Sequence, residues 1–358
     1  MNKIFDFENL ARTDLKTLLP YQSPPHTCSV RLADNENPYD FPDEVREKIF
    51  TAAMNAEFNR YPDTNAEILR EKLETYTGVS KENIMMGNGS DELILALMMA
   101  FGIGAAFVVT TPTFTMYSLH GQGVGAREVR SPRLEDFSID VPGIIQAAAD
   151  PEVKLVIICN PNSPTGNATP TDVLERILSN CNAVVVVDEA YFEFGGVSAV
   201  SLLQQHPNLV ILRTFSKALS LAGLRVGYLL TSSIVMDELM KVKPPYNVNS
   251  FSQLAAITVL DNLPLFQTRV KAILVQRERL FTGLAAIPGV EVFPTVANFI
   301  MFRTKLPASQ VYDDLIRRGV MIRILDSPPL EGNLRVTVGT EKENAFFLAA
   351  LRDILSEK

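Results

Sequence analysis

Six short runs rich in β-branched and other apolar residues constrain the fold of this chain more than any other feature. Amphipathic segments separate these runs, which cover residues 83–88, 105–111, 154–160, 183–189, 209–215 and 225–230. Strands without a polar face are buried on both sides, as they are in a parallel sheet that is covered by helices. The pattern therefore predicts an α/β architecture in which helices flank a mostly parallel sheet.

The segments on either side of this region suggest how the chain is divided. Residues 1–30 are polar and lack a core of their own, so we expect an N-terminal arm. Beyond the last long apolar run the sequence changes to helical segments and shorter strands. We therefore predict a large α/β domain over residues 31–245 and a smaller α+β domain over residues 246–358.

The charge balance and the scattered cysteines exclude several classes of protein. The 358 residues carry a formal net charge of −8, which does not favour binding to nucleic acid or to an anionic membrane. No apolar run approaches the roughly 20 residues of a transmembrane helix, and the N-terminus does not resemble a signal peptide. Three distant cysteines predict reduced thiols, and three histidines without ligand spacing predict no metal site. We therefore expect a cytoplasmic protein.

One apolar run ends in Asp188 and Glu189, and Tyr191 follows shortly after. Open parallel sheets bind ligands at the carboxyl ends of their strands, so a carboxylate in this position can meet a bound cofactor. Taken alone, Asp188 is equally consistent with a helix cap.

The next apolar run ends in a second group of reactive side chains. Thr214 and Ser216 offer hydroxyl donors, and Lys217 offers an amine. Arg225 follows eight residues after the lysine and offers a planar guanidinium that suits a phosphate. A lone lysine is usually a surface residue, but an amine, phosphate donors and a carboxylate together are what pyridoxal phosphate requires.

The run RTFSKALSLAGLRVG at residues 213–227 closely resembles the cofactor-lysine signature of the histidinol-phosphate aminotransferases. Further family-like stretches follow one another along nearly the whole chain: PYQSP (20–24), LADNENPYD (32–40), NRYP (59–62), GNGSDE (87–92), TPTFTMY (111–117), NPNSPTG (160–166), DEAYFEF (188–194), ANFIMFR (297–303) and NLRVTVGT (333–340). The chain thus resembles the fold-type I pyridoxal-phosphate enzymes of the aspartate aminotransferase superfamily. The resemblance implies a large domain with a mostly parallel sheet and a smaller α+β C-terminal domain.

The resemblance also implies catalytic roles for three matched residues. Lys217 is expected to carry the cofactor as a Schiff base and, once freed, to move the substrate proton. Asp188 is expected to pair with the pyridine nitrogen, which keeps the ring protonated and electron-withdrawing. Tyr191 matches the tyrosine that hydrogen-bonds the cofactor O3′.

The cofactor phosphate is expected to bind where two matched segments meet. The matched donors are Gly89, Ser90, Asp91, Thr214, Ser216 and Arg225. Backbone N–H groups at the start of a helix bind anions, and the GNGSDE stretch precedes an apolar helical segment; a plain turn with an N-cap is the alternative. Phe114 matches the aromatic ring that stacks on the cofactor, and a core phenylalanine is the alternative.

Four residues match positions that contact the substrate in the family. Arg335 corresponds to the arginine that receives the anionic end, which implies a phosphorylated amine in one half-reaction and a glutamate carboxylate in the other. Asn298 and Arg323 are expected to assist. Tyr21 resembles an arm tyrosine near the substrate, with simple packing as the alternative.

Tyr61, in the NRYP stretch, resembles a tyrosine that reaches the cofactor phosphate of the neighbouring subunit. The resemblance therefore implies a homodimer with composite sites. Simple packing of this tyrosine is the alternative.

The sequence departs from the family immediately before PTG. The family commonly has an asparagine there that bonds the cofactor O3′, whereas this chain has Ser163. Serine is shorter, so the contact is expected to be weakened or bridged by water. Asn162 is the adjacent candidate, although a shift of one residue usually points a side chain elsewhere.

The resemblance implies an enzyme that transfers the amino group of L-histidinol phosphate to 2-oxoglutarate in histidine biosynthesis. An aromatic or broad-specificity amino acid aminotransferase stays open, because one or two pocket residues decide between such substrates. A threonine-phosphate decarboxylase also stays open, and it would not consume 2-oxoglutarate. A non-catalytic regulator that binds the cofactor is the third alternative, although the chain carries no additional basic domain.

Overall fold

The six apolar runs form six strands of one seven-stranded sheet in the computed structural model, which describes residues 10, 12–20 and 28–356. The strands are β1 (Val30–Arg31), β2 (Ile84–Gly87), β3 (Ala106–Thr111), β4 (Arg127–Pro132), β5 (Val153–Cys159), β6 (Val184–Asp188), β7 (Leu209–Thr214), β8 (Gly227–Thr231), β9 (Val290–Val292), β10 (Phe299–Thr304), β11 (Val320–Met321), β12 (Arg323–Leu325) and β13 (Asn333–Thr337). The helices are α1 (Asp43–Met54), α2 (Glu67–Thr77), α3 (Ser90–Leu97), α4 (Met116–Gly123), α5 (Val141–Ala148), α6 (Thr171–Leu178), α7 (Ser233–Met240), α8 (Ser250–Asp261), α9 (Leu263–Ala285), α10 (Ala308–Arg317) and α11 (Glu341–Ser356).

The large sheet has the strand order β2-β8-β7-β6-β5-β3-β4. The four strand pairs from β4 to β7 are parallel, which confirms the prediction of a mostly parallel sheet. Only β8 runs antiparallel to its neighbours, β7 and β2. Because Thr214 pairs with Gly227, the connection that carries Lys217 and Arg225 leaves and re-enters the sheet at the same end. This connection therefore lies at the carboxyl end of β7.

Helices cover both faces of this sheet. Val185 and Val187 of β6 belong to a core that α1, α2, α5, α6 and α8 also line, whereas Val186 belongs to the core under α3, α4 and α7. Burial of each such side chain stabilises the fold by roughly 1.5–3 kcal/mol. The sheet thus accounts for runs that are apolar at consecutive positions, since neither face reaches solvent.

A smaller antiparallel sheet of order β12-β13-β10-β9 forms a second core with α9, α10 and α11. The short strands β1 and β11 pair beside it. Leu32 packs in this second core, and Val259 of α8 packs in the core of the large sheet. Among the described helices, none combines the length and apolarity required to span a bilayer.

The sequence pattern did not identify strand β4 and helix α10. Strand β4 lies at the edge of the large sheet, and most of its side chains are exposed or half-buried, so it lacks an apolar run. Helix α10 buries a narrow stripe of Ala308, Val311 and Leu315 between charged residues. An edge position weakens the signal that a sequence pattern can give, whereas the stripe of α10 has the spacing of an amphipathic helix and was available in the sequence.

Candidate active site

A cavity of about 230 Å³ lies at the carboxyl ends of β5, β6 and β7. Its walls contain many of the residues singled out from the sequence, which are Ser90, Asp91, Phe114, Asp188, Tyr191, Thr214, Ser216, Lys217 and Arg225. Gly89 immediately precedes α3 at the same corner. Side chains from four separate stretches of sequence therefore meet at the edge of the sheet where a ligand is expected.

Lys217 presents a partly buried amine to this cavity. Its Nζ donates a hydrogen bond to the main-chain carbonyl of Asp34, with a distance of 2.8 Å. The pKa of Lys217 is lowered to about 8, chiefly by burial and also by the positive charge of Arg335, against the opposing charges of Asp34 and Glu36. A larger fraction of this amine is therefore neutral near pH 7 than for an ordinary lysine, as a nucleophile or base requires.

Asp188 is the last residue of β6, and its side chain is buried beside the cavity. One carboxylate oxygen accepts a hydrogen bond from the Tyr117 hydroxyl at 2.7 Å, and the other accepts one from the Ala190 N–H at 3.0 Å. Burial raises the pKa of Asp188 to about 6, and these two hydrogen bonds partly oppose the shift. A carboxylate in such a position gains most from a ligand that brings a positive charge or an N–H donor.

Tyr191 lies on the turn that follows Asp188. Its hydroxyl accepts a hydrogen bond from the Asn35 side chain at 2.9 Å, and its ring contacts Phe299 edge-on at 5.1 Å between centroids. Burial raises the pKa of Tyr191, so the hydroxyl keeps its proton and can donate it to an acceptor in the cavity.

A corner suited to an anion forms where the start of α3 meets the lysine connection. Arg225 Nη2 lies 2.9 Å from an Asp91 carboxylate oxygen, and Nη1 lies 3.4 Å from Ser216 Oγ. Gly89 has a φ of +80°, and a Cβ there would collide with the Arg225 guanidinium. Arg225 itself has a φ of 51°, a left-handed conformation that is uncommon outside glycine and is typical of functional positions.

Phe114 is half-buried and lines the cavity just before α4. Its ring meets the ring of Tyr117 at an interplanar angle of 83°, with 5.5 Å between centroids. An aromatic side chain fixed in this way can stack on a planar ligand.

The small-domain strands bring two arginines side by side. Arg323 of β12 pairs in register with Arg335 of β13. Arg335 donates to the Ala33 carbonyl at 2.6 Å and to Ser163 Oγ at 3.2 Å. Arg323 lines a second, neighbouring cavity of about 580 Å³, which shares Phe114 with the first. The buried Asn298 donates to the Asn35 carbonyl at 3.0 Å.

The loop at NPNSPTG separates the two neighbouring candidates. Asn162 is fully buried, and its amide bonds Thr113, Pro112 and Thr165, so its side chain serves the loop itself. Ser163, one residue later, is the one that contacts Arg335. The geometry therefore favours Ser163 over Asn162 as the residue directed toward the site.

Two tyrosines matched by resemblance lie apart from the cavity or outside the described residues. Tyr61 is 81% exposed and stacks on Tyr246 at 4.6 Å between ring centroids. It therefore does not line the cavity of its own chain. Tyr21 lies outside the described residues.

Two polar residues of the site received no role from the sequence. Tyr117 bonds Asp188, and Asn35 bonds Tyr191. Both lie inside matched stretches, Tyr117 in TPTFTMY and Asn35 in LADNENPYD, and membership of those stretches was the available signal.

The donor set of the cavity suits pyridoxal phosphate. An amine of lowered pKa is suited to react with the aldehyde of the cofactor, and a buried carboxylate is suited to pair with a protonated ring nitrogen. A guanidinium and hydroxyls beside a helix start suit a phosphate, and an aromatic side chain suits a planar ring.

Comparison with known proteins identifies the class. The model of the family "Aminotransferase class I and II" matches residues 29–351, and the chain therefore belongs to this family. The histidinol-phosphate aminotransferase of Thermoanaerobacter pseudethanolicus is 40% identical over 350 residues, covering 97% of this chain and 99% of the relative. The fold-type I architecture expected from sequence is thereby confirmed.

Solved structures give the same result for the fold. The histidinol-phosphate aminotransferase of Sinorhizobium meliloti, in complex with pyridoxal-5′-phosphate, superposes with a TM-score of 0.89 at 26% identity, covering 97% of this chain and 98% of that one. The L-threonine-O-3-phosphate decarboxylase of Porphyromonas gingivalis superposes with a TM-score of 0.80 at 22% identity, covering 91% and 99%. The second likeness shows only that the fold is shared.

Proposed function

We propose that this aminotransferase uses pyridoxal phosphate and transfers the amino group of L-histidinol phosphate to 2-oxoglutarate. The observation that supports this choice of cofactor is a single cavity lined by both the Lys217 amine and the buried Asp188 carboxylate. The substrate rests on the near full-length similarity to histidinol-phosphate aminotransferases. A location in the cytoplasm and the division into an arm of residues 1–30 and domains over 31–245 and 246–358 are part of the proposal.

Different cavity residues would bind different parts of the cofactor. Lys217 would hold it covalently, Asp188 would hold a proton on the ring nitrogen, and Tyr191 would donate to O3′. Phe114 would cover the ring, and the phosphate donors are Gly89, Ser90, Asp91, Thr214, Ser216 and Arg225. Pyridoxal phosphate, when bound, withdraws electrons from the substrate carbon next to the amine, which makes the proton on that carbon acidic.

Lys217 then moves the substrate proton. An amine whose pKa is about 8 is neutral in a useful fraction of molecules near neutral pH, and it is still basic enough to accept a proton from carbon. Asp188, which lines the same cavity, would keep the ring nitrogen protonated through its negative charge. The two residues therefore do complementary work: one carries the mobile proton and the other retains a fixed one.

Arg335 would bind the anionic end of each substrate, and Arg323 and Asn298 would assist it. A forked guanidinium bonds a phosphate or a carboxylate in two places, so one arginine serves histidinol phosphate and glutamate in turn. The strand register supports this role, because it sets Arg323 directly opposite Arg335 and so concentrates positive charge at this point of the small domain.

Tyr61 would complete the site of a second subunit in a homodimer. Its exposure, together with that of Phe50, Met54, Phe58 and Ile68, gives this part of the chain an apolar surface of the kind found at interfaces. The test mixes two variants, Tyr61→Ala and Lys217→Ala. If the sites are composite, subunit exchange regenerates intact sites and restores activity; if Tyr61 serves its own chain, the mixture is no more active than its components.

Single-turnover spectroscopy tests the reaction. The protein is loaded with pyridoxal phosphate, and L-histidinol phosphate, L-phenylalanine, L-aspartate and threonine phosphate are added separately without a keto acid. Rapid conversion of the cofactor absorption to that of the pyridoxamine form with histidinol phosphate supports the proposal. Conversion mainly with phenylalanine would move the substrate to aromatic amino acids, and release of carbon dioxide from threonine phosphate would replace the reaction. No cofactor absorption at all would overturn the assignment of Lys217.

A further inference from the structure

Tyr117 contacts the acid of the site but has no place among the matched cofactor residues. It is the second residue of α4 and is fully buried. Its hydroxyl donates to Asp188 at 2.7 Å, which is a short hydrogen bond to a carboxylate. Burial raises the pKa of Tyr117 well above its usual value, so the hydroxyl remains a donor throughout the working range of pH.

The ring of Tyr117 is itself held in place. Phe114 meets it edge-on at 5.5 Å between centroids, and the surrounding core includes Phe107. A side chain packed on a rigid helix and against an aromatic ring has little freedom to leave its rotamer. The donor therefore has a fixed position, and it fixes the position of the carboxylate that it bonds.

Asp188 needs such a donor because its other neighbours disfavour its charge. Burial raises the pKa of Asp188, and the negative charges of Asp91 and Glu189 add to the shift. The Tyr117 hydroxyl and the Ala190 N–H act in the opposite direction. Of these two, the hydroxyl alone belongs to a side chain and can be removed by substitution.

We propose that Tyr117 is a positioning residue, which holds the Asp188 carboxylate ionised and oriented toward the nitrogen of the cofactor ring. This inference rests on the proposed function, since it assigns Asp188 to that nitrogen. Tyr117 acts through Asp188 and does not itself take part in proton transfer. Cys159, which also lines the cavity, lies close enough to Tyr117 to affect its pKa but carries no part of this role.

The test compares Tyr117→Phe with Tyr228→Phe in the full-length protein. Tyr228 is an equally buried tyrosine of β8 that packs in the core on the opposite face of the sheet. Tyr228→Phe therefore also removes one buried phenol oxygen, but at a position remote from the cavity. Three quantities are measured: the Kd of the apo-protein for pyridoxal phosphate, the pH dependence of the absorption of the bound cofactor, and kcat and KM. Thermal melting of each apo-protein checks that both variants fold.

We expect Tyr117→Phe to weaken cofactor binding about tenfold, which is the effect of losing one hydrogen bond to a charged group. The acid limb of the absorption profile should move to higher pH, and kcat should fall by a larger factor than KM rises. Tyr228→Phe should stay within about twofold of the wild type. Equal behaviour of the two variants would overturn the role of Tyr117.

A double-mutant cycle decides whether Tyr117 acts through Asp188. In an Asp188→Asn background, Tyr117→Phe should change cofactor affinity by less than about twofold, because the carboxylate it serves is gone. A tenfold effect that persists in that background would contradict the proposal. Failure of the wild type to bind pyridoxal phosphate would instead remove the proposed function itself, so the two failures are distinguishable.

Discussion

Asp188 and Glu189 are consecutive and both buried, but Asp188 bonds Tyr117 of one core and Glu189 bonds Ala199 of the core on the other side of the large sheet. We call the side with Asp188 and the cavity the open face, and the side with Glu189 the closed face. Glu189 accepts hydrogen bonds from Arg213 Nε at 2.9 Å, from Ser198 Oγ at 3.0 Å and from the Ala199 N–H at 2.6 Å. Arg213 is a cation that the next strand supplies, and its guanidinium also lies 3.8 Å above the centre of the Phe192 ring. The chain thus provides a complete partner set for Glu189.

Asp188 is buried to a similar degree, but its partners are of another kind. The described donors to its carboxylate are neutral, a phenol and a peptide N–H, and the group faces a cavity. A buried carboxylate with a bound cation is a structural element, whereas one whose cation must come from outside is a binding site. The comparison teaches that burial alone does not identify a functional acid; the charge of its partners does.

The largest effect should come from Lys217, on the open face. Lys217→Ala removes the amine that holds the cofactor and moves the proton, so transamination should fall by at least about 10⁴-fold. The closed face is untouched, and the melting temperature of the apo-protein should stay close to that of the wild type. Turnover assays and calorimetry on the same preparation check both. Residual turnover near the wild-type level would sink the mechanism.

Removing the charge on the closed face should lower stability by a large amount. Glu189→Gln leaves Arg213 buried without its anion, and breaking a buried ion pair in this way costs about 3–5 kcal/mol of unfolding free energy. Chemical denaturation of the apo-protein measures the change. The double variant Glu189→Gln, Arg213→Met is the control, since it removes both charges and should recover part of the loss. A single variant as stable as the wild type would show that Glu189 is not ionised in the folded protein.

The same carboxylate-to-amide change should have the opposite sign at Asp188, because burial raises the pKa of both carboxyls but only Glu189→Gln leaves a buried arginine without its anion. Because the pKa of Asp188 is raised from 3.8 to about 6, the folded apo-protein binds this proton more tightly than the unfolded chain does. The ionised group therefore opposes folding above about pH 6, its effect grows between about pH 4 and 6, and it vanishes at lower pH. Apo Asp188→Asn should be more stable than the wild type by about 2 to 3 kcal/mol at pH 8 and nearly equal at pH 4.

Cofactor affinity gives the second half of this test. Asp188→Asn should bind pyridoxal phosphate more weakly even while its apo form is more stable, since the charge that opposes folding is the one that holds the ligand. Denaturation at the two pH values and equilibrium dialysis measure the two effects. A variant that is less stable than the wild type at pH 8 would place Asp188 in the same structural class as Glu189.

The sequence predicted the open face better than the closed one. Apolar runs located β2, β3 and β5 to β8, and the matched motifs at their ends meet in one cavity, because parallel strands bring their carboxyl ends to a common edge. The pairing of Glu189 with Arg213 was not predicted, since it depends on which strands are neighbours and which way their side chains point. The same limit applies to Asn162 and Ser163, where a turn of the chain exchanges the side chain that faces the site.

The smallest effects should come from single hydroxyls, and a matched pair of serines tests the comparison most finely. Ser198 Oγ donates to Glu189, accepts from Arg213 at 2.7 Å and caps a short helical turn, so Ser198→Ala should lower stability by about 1 to 2 kcal/mol. Ser216 Oγ lies in the anion corner beside Arg225, so Ser216→Ala should weaken cofactor binding about tenfold while stability changes by less than about 0.5 kcal/mol. Denaturation curves and cofactor Kd values for both variants check that Ser198→Ala lowers stability whereas Ser216→Ala lowers cofactor affinity. If both serines altered the same quantity, the two faces would not be separable, and the distinction between a chain-supplied and a ligand-supplied partner would fail.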